Sequence, residues 1–372
     1  MLFVRASGLV YRNPRPELRA RHAWHPSLVS LGGPHWLCTF DIGEGPESLD
    51  YATYVSRSDD DAVTWSSPVP LFQDFSGRRS THTVRVSRLA DGSLIAWGAR
   101  LFREDPDKGL INTATLGYTE MELIGLRSGD QGMTWSRPEV LSPPLVGPAF
   151  ETCHPIVELA DGRLLAPTST WPGWDGAGPT GRQAVAFEST DGGKTWTRFL
   201  ETFNRWSDGV LHWEQSVVQL PDGRLLAVAW ALDVKTSRSL PTPYAISGDG
   251  NNFDFHGLTG LEAQTAKLVV LKDGRVLCIY RRHDRPGLWT SLVEISGTSW
   301  VPQDELMLWD GAPSGMDGLT SLGTELSALA FGYPSPQRAE DGDVLLAFWC
   351  REDCIFNIRW IRIGLQTATG PA

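Results

Sequence analysis

The sequence predicts an all-β chain: a six-bladed β-propeller with four antiparallel strands per blade, its ring closed by the N-terminal strand. Three observations carry that expectation. An Asp-Gly turn between two apolar runs occurs five times, with a sixth variant, roughly one blade apart. A polar turn ending in Trp recurs three times, with a fourth degraded copy, interleaved with the first repeat. The chain is also rich in Gly (38), Pro (25) and Trp (16), which suits short strands joined by tight turns rather than helices.

The hairpins come in order. Leu31-Gly-Gly-Pro34 leads into His35–Phe40 and is the variant member. Leu89 to Gly92 precedes Ser93–Trp97, Leu159 to Gly162 precedes Arg163–Ala166, and Leu220 to Gly223 precedes Arg224–Trp230. Leu271 to Gly274 precedes Arg275–Tyr280, and Ala339 to Gly342 precedes Asp343–Trp349. Asp-Gly flanked by apolar residues is the strongest short hairpin signal, and each of these turns joins the first two strands of a blade. The Trp turns read S-x-D-x-G-x-T-W. Ser189, Asp191, Gly193, Thr195 and Trp196 form the best copy, matched by Ser128 to Trp135 and by Ser58 to Trp65, where Ala62 replaces the glycine. Ser247 to Asn251 lacks the Trp. In such a turn the Ser and Asp side chains accept hydrogen bonds from nearby backbone N–H groups, and the Trp packs onto the blade.

Residues 22–78, 79–148, 149–204, 208–258 and 262–312 are therefore expected as blades one to five. Blade six, about 325–364, offers three strands: Tyr333–Gln337, Val344–Trp349 and Phe356–Ile363. Its outer strand is expected from Leu2–Tyr11, which joins the chain ends and removes open sheet edges. The whole chain, 1–372, is expected as one domain.

Hairpin parity assigns the faces. Asp-Gly turns end first strands and Trp turns end third strands, so both repeats lie on one face, and function belongs on the other. Aligning inner strands on their hairpins puts His25, Thr83, Cys153, Glu214, Thr265 and Tyr333 at one level, the mouth of the central channel. Trp24, His82, His154, Trp213 and Gln264 adjoin it. Second-strand loops add Asp41, Glu44, Glu47 and Asp50 in blade one, and Arg100 and Arg103 in blade two. They add Trp171 and Trp174 in blade three, Arg281, Arg282 and His283 in blade five, and Arg351 in blade six. The two tryptophans suit stacking on sugar rings. Arg100, Arg281, Arg282 and Arg351 are expected to make this mouth locally basic.

A net charge of -11 argues against nucleic acid, although 28 of the 33 basic residues are Arg. No apolar run is long enough to cross a membrane as a helix, and the N-terminus lacks a secretory h-region, so a cytoplasmic location without membrane contact is expected. Of the five cysteines, Cys38, Cys278 and Cys350 sit in apolar strands, as core residues do, and no disulfide is expected. Cys350 and Cys354 lack the second pair of a zinc site, and His82 and His154 fall at the opposite strand parity to His25, so neither a metal nor a cofactor is expected. Composition leaves the oligomeric state open.

At the level of the Trp turns and the inner strands, the chain resembles the Asp-box (BNR-repeat) sialidase superfamily over essentially its whole length. The resemblance implies a Tyr nucleophile activated by a neighbouring Glu, an Asp acid/base, and three Arg that hold a substrate carboxylate. Trp213-Glu214-Gln is similar to the family's Glu strand, and Gly332-Tyr333-Pro-Ser335 to its Tyr strand. Asp41 to Asp50 covers the acid/base region, with Asp50 first and Glu47 second. The chain departs from the pattern where Trp24-His25-Pro26 replaces the first Arg and where Trp230 stands in place of another. The implied activity is a retaining exo-glycosidase on an acidic or unusual terminal sugar, with Tyr333, Glu214 and Asp50 catalytic. Its binding residues are expected among those at the mouth. Two alternatives stand beside it: a lyase on uronic-acid polysaccharides, in which Tyr333 and a His move protons, and a non-catalytic glycan-binding propeller.

Overall fold

The computed structural model describes residues 1–74, 76–282, 284–312 and 322–366. His283 lies outside them. Six sheets stand around an axis, each running from an inner strand outward with antiparallel neighbours. Inner strands are His22–Gly32, Ser80–Arg88, Ala149–Glu151 with Val157–Glu158, Val210–Gln219, Ala263–Val270 and Phe331–Arg338. Leu2–Tyr11 pairs with Ile355–Leu365 as the outer strand of blade six, so the ring closes as expected. Arg5 Nε reaches Asp343 Oδ2 at 2.6 Å and reinforces the closure.

The repeats form local, self-satisfied turns. In the Asp-Gly hairpins the glycine N–H donates back to the residue three before it (Gly92 to Leu89 and Gly223 to Leu220, both 2.9 Å), and these glycines take φ of 87° and 90°. That left-handed conformation disfavours a Cβ. In the Trp turns Thr64, Thr134 and Thr195 each donate their N–H to the Asp of their own turn at 2.9 Å. Arginines then stitch the turns together: Arg57 donates to Gln131 O of the next blade, Arg127 to Gly192 O, and Arg163 to Gly250 O. Part of the Arg excess therefore holds neighbouring blades in register.

The core lies within and between the sheets, with Cys38, Cys278 and Cys350 in it. Two features depart from the regular blade pattern. The inner strand of blade three breaks between Glu151 and Val157, where Pro155 has no N–H for the ladder. A short helix, Leu322–Ala328, precedes blade six, although residues from 325 were expected to belong to the blade.

Candidate functional site

The inner strands do not enter the channel as plain ladders. Register shifts interrupt the pairing at Trp24/Ser27, Trp213/Ser216, Gln264/Lys267 and Gly332/Ser335. At each shift a non-glycine residue takes a left-handed backbone: His25 (φ 49°), Glu214 (45°), Thr265 (50°) and Tyr333 (52°). Such conformations cost free energy unless the surrounding structure enforces them, and they concentrate at functional sites. Four of the six residues placed at one level by hairpin alignment are thus bulge apices. Thr83 sits instead in an unbroken ladder opposite Ala99, and Cys153 lies in the break of blade three.

All six line one cavity of about 840 Å³. Its wall is apolar on the side of blade two, at Leu101, Leu110, Ile111 and Met121, and Leu326 and Leu329 from the connection into blade six pack against the cluster of Trp171, Trp213 and Trp230. Trp171 and Trp213 stack at 5.3 Å, and Trp230 continues the stack behind Trp213 at 4.5 Å. A second cavity of about 420 Å³, lined by Cys153, His154, Lys267 and Tyr333 among others, continues along the inner strands.

The centre of the site is an Arg–Tyr–Asp contact that spans the ring. Arg85 Nε donates to the Tyr333 hydroxyl at 2.9 Å, and its guanidinium carbon lies 4.8 Å from the ring centroid. Lys267 Nζ stands 5.0 Å from the same ring and donates to the backbone carbonyls of Glu214 and Gln215. Burial pushes the Tyr333 phenol above its usual range while Arg85 pulls the other way. Burial would likewise raise Asp41, but Arg85, His25 and Thr53 outweigh it, so this fully buried carboxyl is held below its usual value.

Two glutamates face this centre. Glu151 Oε2 accepts the Glu214 N–H at 3.0 Å, which fixes the bulge that carries Glu214. Glu151 Oε1 and Glu214 Oε2 are both buried without a partner among the described residues. Burial, and then the neighbouring Glu214, raise Glu151; burial lowers Lys267 against the pull of both glutamates. Arg281 is held by Gln264 Oε1 (2.8 Å) and Phe331 O (2.9 Å), leaving Nη2 without a partner among the described residues. Burial lowers it to about 10, so it keeps its charge at neutral pH. Gly332 permits this placement, because a Cβ there would lie 2.6 Å from Arg281 Nη1.

The other anticipated residues divide sharply. Trp24, His25, Trp171, Glu214, Arg281 and Tyr333 line the cavity. Asp50 does not: its Oδ1 accepts from Glu44 N and Ser48 Oγ within its own loop. Glu47 does line it, with Oε2 on Leu110 N at 2.6 Å. His82 is buried against Phe72 and accepts the Thr53 N–H at 3.2 Å; His154 bonds Pro155 O and Ser216 Oγ. Gln264 lies behind Arg281, and Trp174 packs under Lys108. The basic mouth is reduced to one of its four arginines. Arg100 is drawn between Asp74 and Glu122 (2.8 and 3.0 Å), Arg282 pairs with Asp284 and Glu305, and exposed Arg351 lies 6.0 Å from Phe356. Carboxylates on neighbouring strands and loops capture the first two.

Arg85, Glu151, Lys267 and Tyr51 escaped the sequence reading. The signal for three of them was strand parity: Arg85 and Lys267 stand two residues after Thr83 and Thr265, and Glu151 two before Cys153.

The family model of the BNR repeat-like domain matches residues 37–346. No curated protein matches the sequence. Among solved structures, a protein of unknown function from Dyadobacter fermentans DSM 18053 superposes with a TM-score of 0.77 at 18% identity, covering 98% of this chain and 99% of that one. The Hadza microbial sialidase Hz136 gives 0.68 at 15% identity, covering 96% and 68%. Trypanosoma rangeli sialidase gives 0.64 at 14% identity, covering 92% of this chain and 55% of its own. These likenesses show the shared fold.

Proposed function

The chain belongs to the BNR repeat-like domain family, and on that premise we propose that it is a glycan-processing enzyme, a retaining glycosidase with Tyr333 as nucleophile. One observation carries the reading. The Tyr333 hydroxyl stands at a strained bulge apex in the cavity, held by Arg85 at 2.9 Å, and Glu214, whose Oε2 has no partner among the described residues, lines the same cavity. A buried phenol is a poor nucleophile until a base removes its proton as it attacks. Glu214 is that base in this reading, and Arg85 and Lys267 stabilise the negative charge on the oxygen. Among the described residues no hydrogen bond joins Tyr333 to Glu214; Arg85 fills a lone pair of the phenol oxygen and leaves its proton to give, and the substrate brings the transfer into line. Arg281, with its free Nη2, receives a single acidic group on the sugar. Among the described residues the cavity arginines are Arg85 and Arg281, and Arg85 is engaged by Tyr333 and Asp41, so a three-arginine clamp forms no part of the reading.

The test is release of a reducing sugar from a panel of 4-nitrophenyl glycosides that includes acidic sugars, with turnover lost in Tyr333→Phe. A second reading, a lyase on uronic acids, is favoured by the His25 ring standing edge-on to Tyr333 at 5.5 Å. A lyase product is unsaturated and absorbs in the ultraviolet, which separates the two. Binding without any product identifies a glycan-binding propeller.

A further inference from the structure

A retaining mechanism needs a group that protonates the leaving oxygen and later deprotonates water. Resting on the glycosidase reading, we propose that His25 is this acid/base and that Tyr51 and Asp41 position it. Of the blade-one carboxylates, Glu44 and Glu47 line the cavity, Glu44 as an exposed side chain, whereas His25 stands beside Tyr333 with its ring fixed by Tyr51. Asp50 is bound within its loop, Glu47 Oε2 holds Leu110 N, and Asp41 is fully buried.

Asp41 is surrounded by donors. Its Oδ1 accepts Thr53 Oγ1 at 2.6 Å; its Oδ2 accepts Thr83 Oγ1 at 2.6 Å and the Tyr51 hydroxyl at 3.0 Å, with Arg85 Nη1 at 3.5 Å. Tyr51 has one proton and gives it to the charged carboxylate, the stronger acceptor. His25 Nδ1 lies 2.7 Å from the Tyr51 oxygen, so it must donate its own hydrogen there. Nδ1–H is therefore retained in both the neutral ring and the cation. The exchangeable nitrogen is Nε2, which makes no hydrogen bond among the described residues. The ring lines the cavity beside Tyr333, and its side chain is 34% exposed in an otherwise buried cluster.

The protons balance over two steps. In the first, the Tyr333 oxygen bonds to the anomeric carbon and passes its proton to Glu214. The bond to the leaving oxygen breaks, and that oxygen's electron pair takes the Nε2 proton of His25. In the second, water attacks the same carbon and gives a proton to neutral His25 Nε2. The carbon–Tyr333 bond breaks, and the phenol recovers its proton from Glu214.

His25→Asn is the variant of choice, because Asn tolerates the left-handed backbone at this position. The probes are the 2,4-dinitrophenyl and methyl glycosides of whichever sugar the wild type releases from the 4-nitrophenyl panel. His25→Asn should lose about 10²–10⁴-fold on the methyl glycoside and far less on bond cleavage in the dinitrophenyl one, whose leaving group needs no proton. Azide should restore its rate by attacking the glycosyl-tyrosine, which needs no base, and yield a glycosyl azide. In nitrogen-15 spectra the neutral His25 ring should carry its proton on Nδ1, and Tyr51→Phe should release that preference. Equal losses on both substrates, a wild-type ring protonated on Nε2, or the leaving-group signature in Glu44→Gln or Glu47→Gln instead would overturn the assignment while Tyr333 stays catalytic. A wild type that cleaves no glycoside overturns the glycosidase reading itself, and this assignment with it.

Discussion

The two faces of the propeller use the same residue types in opposite ways. On the repeat face, the aspartates of the Trp turns are consumed within four residues of themselves: Asp130 and Asp191 each accept a threonine N–H and hydroxyl of their own turn. Left-handed positions there fall mostly on glycines such as Gly132 and Gly193. On the cavity face, Glu151 Oε1 and Glu214 Oε2 are buried without a partner among the described residues, and left-handed positions fall on His, Glu, Thr and Tyr. One face closes its turns on their own Ser, Asp and Thr groups; the other places left-handed His, Glu, Thr and Tyr around open carboxylate oxygens. The contrast teaches that a blade holds its shape at one end and frees its chemistry at the other.

Breaking that contrast begins with its largest expected effect. Tyr333→Phe should cut turnover by at least ~10³-fold, about 4 kcal/mol of transition-state stabilisation, while leaving the melting temperature nearly unchanged. A large drop in melting temperature would place Tyr333 with the scaffold. Trp196→Ala should do the converse, costing ~3–5 kcal/mol in denaturant unfolding, since this side chain is 6% exposed, with kcat of the folded fraction intact.

Within the cavity face the histidines sharpen the comparison. Burial holds His82 down to about 4 and His154 to about 3. An unfolded imidazole takes up its proton near ~6.5, so between these values the unfolded chain binds more protons. Stability from this source is complete above pH ~6.5 and is lost as pH falls toward those lower values. Melting temperature measured against pH should show the decline, and His154→Gln should flatten it; an unaltered profile would mean that His154 does not contribute.

Smaller effects follow. Arg281→Gln should raise KM for an acidic glycoside by roughly 10–100-fold, about 1.4–2.7 kcal/mol, with kcat changed less. Equal losses on neutral and acidic sugars would remove its anion-binding role. Gly193→Ala, at φ 81° with a Cβ that would lie 2.9 Å from Ile95 Cδ1, should destabilise by ~1–3 kcal/mol without touching activity.

Legibility in the sequence follows from the range of the interactions. The Trp turns and Asp-Gly hairpins close over four or five residues, so each copy announces itself, and six copies predict six blades. The level of His25, Glu214, Thr265 and Tyr333 was also readable, because hairpins set the register of the strands they join. The bulges that turn these residues into the cavity carry no local motif. Arg85 and Tyr333 meet across 248 residues, and neither neighbourhood names the other.

The sequence by itself determined the blade count, the closure by Leu2–Tyr11 and the face that carries the cavity, because each rests on short-range hydrogen bonding repeated in register. Only the tertiary structure decided which charges reach the cavity. Arg100 stands at the strand position equivalent to Arg281, yet Asp74 and Glu122 pack beside it and neutralise it. Arg281 points inward because Gly332 leaves it room. Likewise Asp41 becomes the buried partner of Tyr51 and Arg85 because blades one, two and six bring their inner ends together. Charge selection of this kind depends on what stands opposite each strand end after the ring closes, and strand parity alone does not contain it.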